Sequence, residues 1–142
     1  MNDSVSLLQE ACSGCKYAVS SINTALDYVK DEQMQRVIKK YDREHSELGE
    51  RCRTLLKERG AKEKRQSAVP EVMSRLGINM RLSMNDSKSH VAEIMINGCN
   101  MGMKTLAKER NRHPNAASEC VDLTNEIIAL ERSMMADMLK YL

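Results

Sequence analysis

Apolar residues recur along residues 4–30 at alternating gaps of three and four: Val5, Leu8, Cys12, Cys15, Val19, Ile22, Leu26 and Val29. That spacing is the seam of a helix packed lengthwise against other helices. Residues 32–59 repeat it with Met34, Ile38, Tyr41, His45, Leu48, Cys52 and Leu55. Two more amphipathic stretches follow, over 86–111 and 115–141, the last carrying Cys120, Leu123, Ile127, Leu130, Met134 and Met138. Each of the four is about 26–28 residues, or roughly 40 Å of helix. Matched lengths let every stripe be buried whole, so the pattern predicts an all-α fold: one antiparallel four-helix bundle spanning 1–142.

The polar punctuation sets the expected boundaries. Asp3 or Ser4 can accept from free backbone N–H groups at the start of the first helix, which should run to about Lys30. Asp31 then caps the second, and so short a connection makes the two antiparallel neighbours. Gly60 is the natural stop of the second helix. The polar run AKEKRQSAVP ends in Pro70, which suits the start of a short helix over 70–83, with Gly77 as a break in it. Asn85, Asp86 and Ser87 offer caps for the third long helix, and His113-Pro114-Asn115 reverses the chain into the fourth. The stretch 61–85 could turn locally or run the length of the bundle. A simple turn does not need so many residues, which favours the long crossover.

Composition narrows the function. No run of apolar residues is long enough to cross a membrane, and the start MNDSVSLLQEA lacks the basic and apolar blocks of a signal peptide. The five cysteines fall on helical core positions, as expected for reduced thiols in a cytoplasmic protein. Tyr is the sole aromatic type, so base-stacking platforms for single-stranded nucleic acid are not expected. Residues 39–65 hold ten Lys and Arg, but six Asp and Glu interrupt them, which reads as a solvated face rather than a nucleic-acid surface.

Four equal helices with one long crossover resemble the ferritin-like superfamily, especially its small bacterial stress proteins. The resemblance implies a mid-bundle di-iron centre, built from a carboxylate on each of two helices and a Glu-x-x-His pair on each of the others. Asp42-Arg-Glu-His45 matches that pair with Asp for Glu, and Glu131-Arg-Ser-Met134 keeps the carboxylate but replaces His. Helical rise brings Asp42 and Glu131 to one level of the bundle in the crossover topology. The remaining half is missing: the first helix shows Cys15 to Val19 there and the third shows Gly98, Cys99 and Asn100. Iron in this fold needs hard oxygen donors, so the centre reads as degenerate. Without metal, Asp42 and His45 would be a polar pair satisfied by hydrogen bonds, with Glu131 either the partner of His45 or a surface residue paired with a nearby cation. His90 and His113 read as exposed.

Other residues point elsewhere. Cys12 should face Cys52, with Cys15 and Cys99 near His45, a set that could hold zinc or Cu(I) or could simply fill core positions. Gly14, Gly49, Gly98 and Gly102 either permit close helix approach or leave room for a ligand, close approach being the expected use. His45-Ser-Glu-Leu-Gly49 departs from the histidine phosphotransfer bundles, because His45 lies on the core seam and Leu48 stands where they need Lys. No nucleophile with a base is apparent. The expectation is thus a non-enzymatic protein without a cofactor, acting through a protein partner or as a homodimer formed over Met95, Met101, Met103, Met134, Met135 and Met138. The alternative is a metal-binding or storage protein for iron, zinc or copper, using Asp42, His45, Glu131, Cys15 and Cys99.

Overall fold

In the computed structural model, which describes residues 2–64 and 74–142, the stripes fold into five α-helices. They are α1 (Asp3–Leu26), α2 (Glu32–Glu58), α3 (Arg75–Met84), α4 (Lys88–Arg112) and α5 (Ser118–Met138), followed by a 3-10 turn, Leu139–Tyr141. No strand occurs among the described residues.

Side-chain caps fix most of the starts. The Asn2 side chain accepts from Val5 N, the Asp31 carboxylate from Met34 N at 2.8 Å, and Ser74 and Ser87 from Gly77 N and His90 N. Each satisfies a donor that the first turn leaves without a helical partner. The end of α2 is closed as expected at Gly60, the one described residue with positive φ, at 65°. Ala61 N bonds Leu56 O and Gly60 N bonds Lys57 O, the paired closure that a left-handed residue after a helix permits.

Three boundaries differ from expectation. The first helix stops at Leu26 rather than near Lys30, because Tyr28 and Val29 are recruited elsewhere. Val29 is buried with its carbonyl on Gln35 Nε2 at 2.6 Å, and the Tyr28 hydroxyl reaches the Asn79 side chain. The last long helix starts at Ser118 rather than 115, since Asp3 and Ser4 of α1 take the Asn115 and Ala117 N–H groups and hold the turn open. Gly77 does not break its helix. It sits in the first turn of α3, where the Ser74 hydroxyl holds its N–H. The expected start at Pro70 lies outside the described residues.

α1 packs along α2 and α4, and α5 packs along the same two. In each contact, rising residue numbers meet falling ones. Asn23 bonds Asp42 while Gly49 lies against Cys15, and Asp3 meets His113 while Gly14 lies beside Leu106. Likewise His45 meets Glu131 while Arg59 meets Glu119. After α2 the chain is held beside the start of α1, with Lys62 O on Gln9 and Lys64 on Glu10. By Asn79 it is beside Tyr28, past the other end of α1. The two levels are roughly 25 Å apart along that helix.

The core falls into two clusters. One joins the α3 end and includes Ile22, Ile38, Tyr41, Ile78, Ile94 and Met138; the other includes Leu7, Leu8, Cys52, Leu56, Leu123 and Ile127. Buried His45 and Glu131 lie where the two clusters meet. The buried line of α2 drifts from the heptad reading, with Gly49 and Leu56 inside where Leu48 and Leu55 are only partly buried. A straight helix has 3.6 residues per turn, so a strict 3.5 pattern slips round its surface. No helix of the described residues is long and apolar enough to cross a membrane.

Candidate functional site

His45 is fully buried and Glu131 is 6% exposed. His45 reaches the centre because it continues the buried line of α2 through Ile38 and Tyr41. Glu131 does so because it follows Ile127 and Ile128 by one turn on α5. The His45 Nδ1 atom lies 2.7 Å from the Tyr41 carbonyl, which can only accept, so Nδ1 carries a proton. Nε2 is 2.5 Å from Glu131 Oε1. Burial alone would lower the His45 pKa. The hydrogen bond and charge of Glu131, the Tyr41 carbonyl and the charge of Glu44 outweigh it and raise the pKa above its ordinary 6.5. The geometry lets Nε2 donate to Glu131 Oε1, and the raised His45 pKa favours the imidazolium form.

This pair belongs to a longer polar chain. The Tyr41 hydroxyl donates to Asp137 Oδ2 at 2.5 Å and is bonded with Ser133 at 2.8 Å, tying α2 to α5 a turn above. Burial, then Asp137, pushes the Tyr41 phenol up to about 12. On the other side, the Cys99 thiol of α4 lies near Glu131. Burial first, then the Glu131 charge, raises the Cys99 pKa.

The other expected site residues are distributed differently. Asp42 is half-buried and faces α1, where Asn23 Nδ2 donates to its Oδ1 at 3.2 Å. Spacing of three places Asp42 and His45 on neighbouring strips of α2, but the 3.6 period turns only His45 fully inward. Cys15 lies near Cys52 across α1 and α2. Of the five residues Asp42, His45, Glu131, Cys15 and Cys99, the structure thus brings together His45, Glu131 and Cys99. Among the described residues, no three His, Cys, Asp or Glu side chains converge as metal ligands would. Both His45 nitrogens are already engaged, so these residues do not fit the di-iron centre that the resemblance implies.

The remaining thiols are also accounted for. Cys12 Sγ donates to Glu63 Oε1 at 2.7 Å, and Lys16 holds the same carboxylate at 2.9 Å. Burial, then Glu63, pushes the Cys12 thiol up to about 12. The neighbouring Cys15, then burial, raises Cys52. Redox sensing needs an accessible thiol of low pKa, and these two are buried and shifted the other way. His113, expected to be exposed, is only 20% exposed in its side chain and lies between Asp3 and Glu109.

A cavity of about 260 Å³ opens between α1 and α4 at the level of the ion pair. Gly14, Gly98 and Gly102 line it, and Glu131 forms part of its wall. Close approach, the use expected of the glycines, holds at Gly49, where an added Cβ would lie 3.3 Å from Cys15 Cβ. It holds at Gly102 as well, 3.2 Å from Glu131 Oε2, whereas at Gly14 an added Cβ would make ordinary contact with Leu106 at 3.6 Å. The cavity was legible only as the weaker of two uses for these glycines. The partners Glu63, Ser133 and Asp137 gave no sequence signal, since polar residues on helix faces are ordinarily solvated.

The methionines correct a further expectation. Met95, Met134 and Met138 are buried in the core rather than forming spare surface, and Met101, Met103 and Met135 are half-buried. Among the described residues, the exposed large apolar ones are Met80, Met84, Leu139 and Leu142. Compared with known proteins, the chain matches no family model, no curated protein and no solved structure.

Proposed function

We propose that this chain is a non-enzymatic, cytoplasmic protein of ferritin-like topology, an antiparallel four-helix bundle in which a buried ion pair stands where that superfamily carries metal. The observation that carries the reading is the His45 Nε2 to Glu131 Oε1 bond of 2.5 Å at the junction of the two core clusters. The opposed pairing of contacting helices and the change of ends between Lys64 and Asn79 support the topology. A proton shared by two side chains satisfies the imidazole and one carboxylate oxygen, and it occupies the Nε2 lone pair that a metal ion would need.

On this reading the protein works by association. Met80 and Met84 lie four apart on α3, Leu139 and Leu142 three apart at the C-terminal turn. Ile78, Leu82 and Tyr141 beneath them share one cluster, so all four exposed side chains sit at one end of the molecule. This end is the proposed homodimer face. Metal analysis of protein purified without chelator tests the central part: less than about a tenth of an equivalent is expected, because a closed site would retain its ion. Stoichiometric iron, zinc or copper would favour the metal-binding alternative.

A further inference from the structure

The ion pair uses Oε1 of Glu131, and Oε2 lies against Gly102 in the wall of the cavity between α1 and α4. A Cβ built on Gly102 would lie 3.2 Å from Glu131 Oε2, and both residues line the cavity. Glu131 is 94% buried, so this carboxylate oxygen forms the floor of a recess rather than part of the outer surface. Around it the walls are small or soft: Gly98, Ala18, Ile22, Met95, Met101 and Met134. Thioether side chains have several rotamers of similar energy and can fit irregular shapes.

The charge of the lining selects among ligands. Among the described residues, its carboxylates are Glu10 and Glu131, and no Lys, Arg or His lines it. An anion would meet these two carboxylates. A neutral hydroxyl could donate one hydrogen bond to Oε2. An ammonium could donate the same bond with charge assistance, which about doubles the strength of such bonds. Size sets a second limit. A cavity of 150 Å³ takes a benzene ring, so about 260 Å³ corresponds by proportion to about ten non-hydrogen atoms.

We infer that this cavity is a binding site for a small apolar amine, whose ammonium group hydrogen-bonds Glu131 Oε2 while its ring or chain packs against the methionines of α4 and α5. The site does not depend on self-association.

Three probes of matched shape decide the matter on the unmodified chain: 2-phenylethylamine, 2-phenylethanol and 3-phenylpropionate. Each is titrated into isotope-labelled protein while the Gly98 and Gly102 amide resonances are followed. The amine should shift both saturably, at least about tenfold tighter than the alcohol, and the carboxylate should not bind. Ala18→Leu fills the wall from a half-buried position and should abolish the shifts in a protein that keeps its dispersed spectrum. Glu131→Gln should bring the amine to the affinity of the alcohol. The inference is overturned if the amine causes no saturable shift at these glycines up to roughly 10 mM. Equal binding of all three probes, or full binding by Ala18→Leu, overturns it as well.

Discussion

Removing one member of a buried ion pair leaves the other charged and unsolvated, which costs more than the pair itself contributes. Glu131→Ala should therefore lower unfolding stability by about 3–5 kcal/mol in urea melts. The pair also sets a pH dependence. Because the folded pKa of His45 lies above 6.5, its contribution is complete below 6.5 and is lost as pH rises through the higher folded value. Asp3, Asp31, Glu63 and Glu126 have lowered pKa values, so their contributions fade only as pH falls below about 4. Urea midpoints should thus be highest between these limits and fall as pH rises above 6.5 through the folded value, and His45→Gln should flatten the fall. Glycines give a contrasting pair. Gly14→Ala meets only Leu106 methyls at 3.6 Å and should stabilise by up to about 1 kcal/mol. Gly49→Ala meets Cys15 Cβ at 3.3 Å, cannot be relieved by a side-chain rotation, and should not stabilise. At this scale the pairing of His45 with Glu131 was legible, because one lies on the α2 seam and the other at its level on α5. The turn of Asp42 toward Asn23 was not, since residues three apart share a face only loosely.

Among the elements, capping carries most of the precision. Asp31→Ala removes the acceptor for Met34 N and should cost about 1 kcal/mol of stability, measured by thermal melting. Gly60→Ala meets nothing within 4 Å, so its cost is purely that of a left-handed backbone, about 1–2 kcal/mol. Asp31, Gly60 and Ser87 were readable from the sequence because these residue types answer needs of the backbone within a few positions. The ends at Leu26 and Ser118 were not readable. Tertiary partners decide both: Asn79 and Gln35 draw out residues 28 and 29, and Asp3 and Ser4 hold 115 and 117. The methionines show the same limit, for periodicity places Met134 and Met138 on α5 without telling a core stripe from an interface stripe.

For the whole molecule, the long connection matters most, because it brings the middle of α2 against the middle of α5. Its length alone pointed to a crossover; contacts at Lys64 and Asn79 place its two ends at opposite ends of α1. Self-association belongs to this scale too. Light scattering behind size exclusion should give twice the chain mass at micromolar concentration, and Met84→Glu with Leu142→Glu should give the monomer mass. The account as a whole turns on what occupies the centre of the bundle. The most direct measurement is the ¹⁵N spectrum of the His45 ring in the folded protein at pH 7. Two protonated ring nitrogens, with the Nε2 proton coupled through its hydrogen bond to Glu131, are predicted. A neutral ring, or a ring nitrogen shifted by a bound metal, would contradict it.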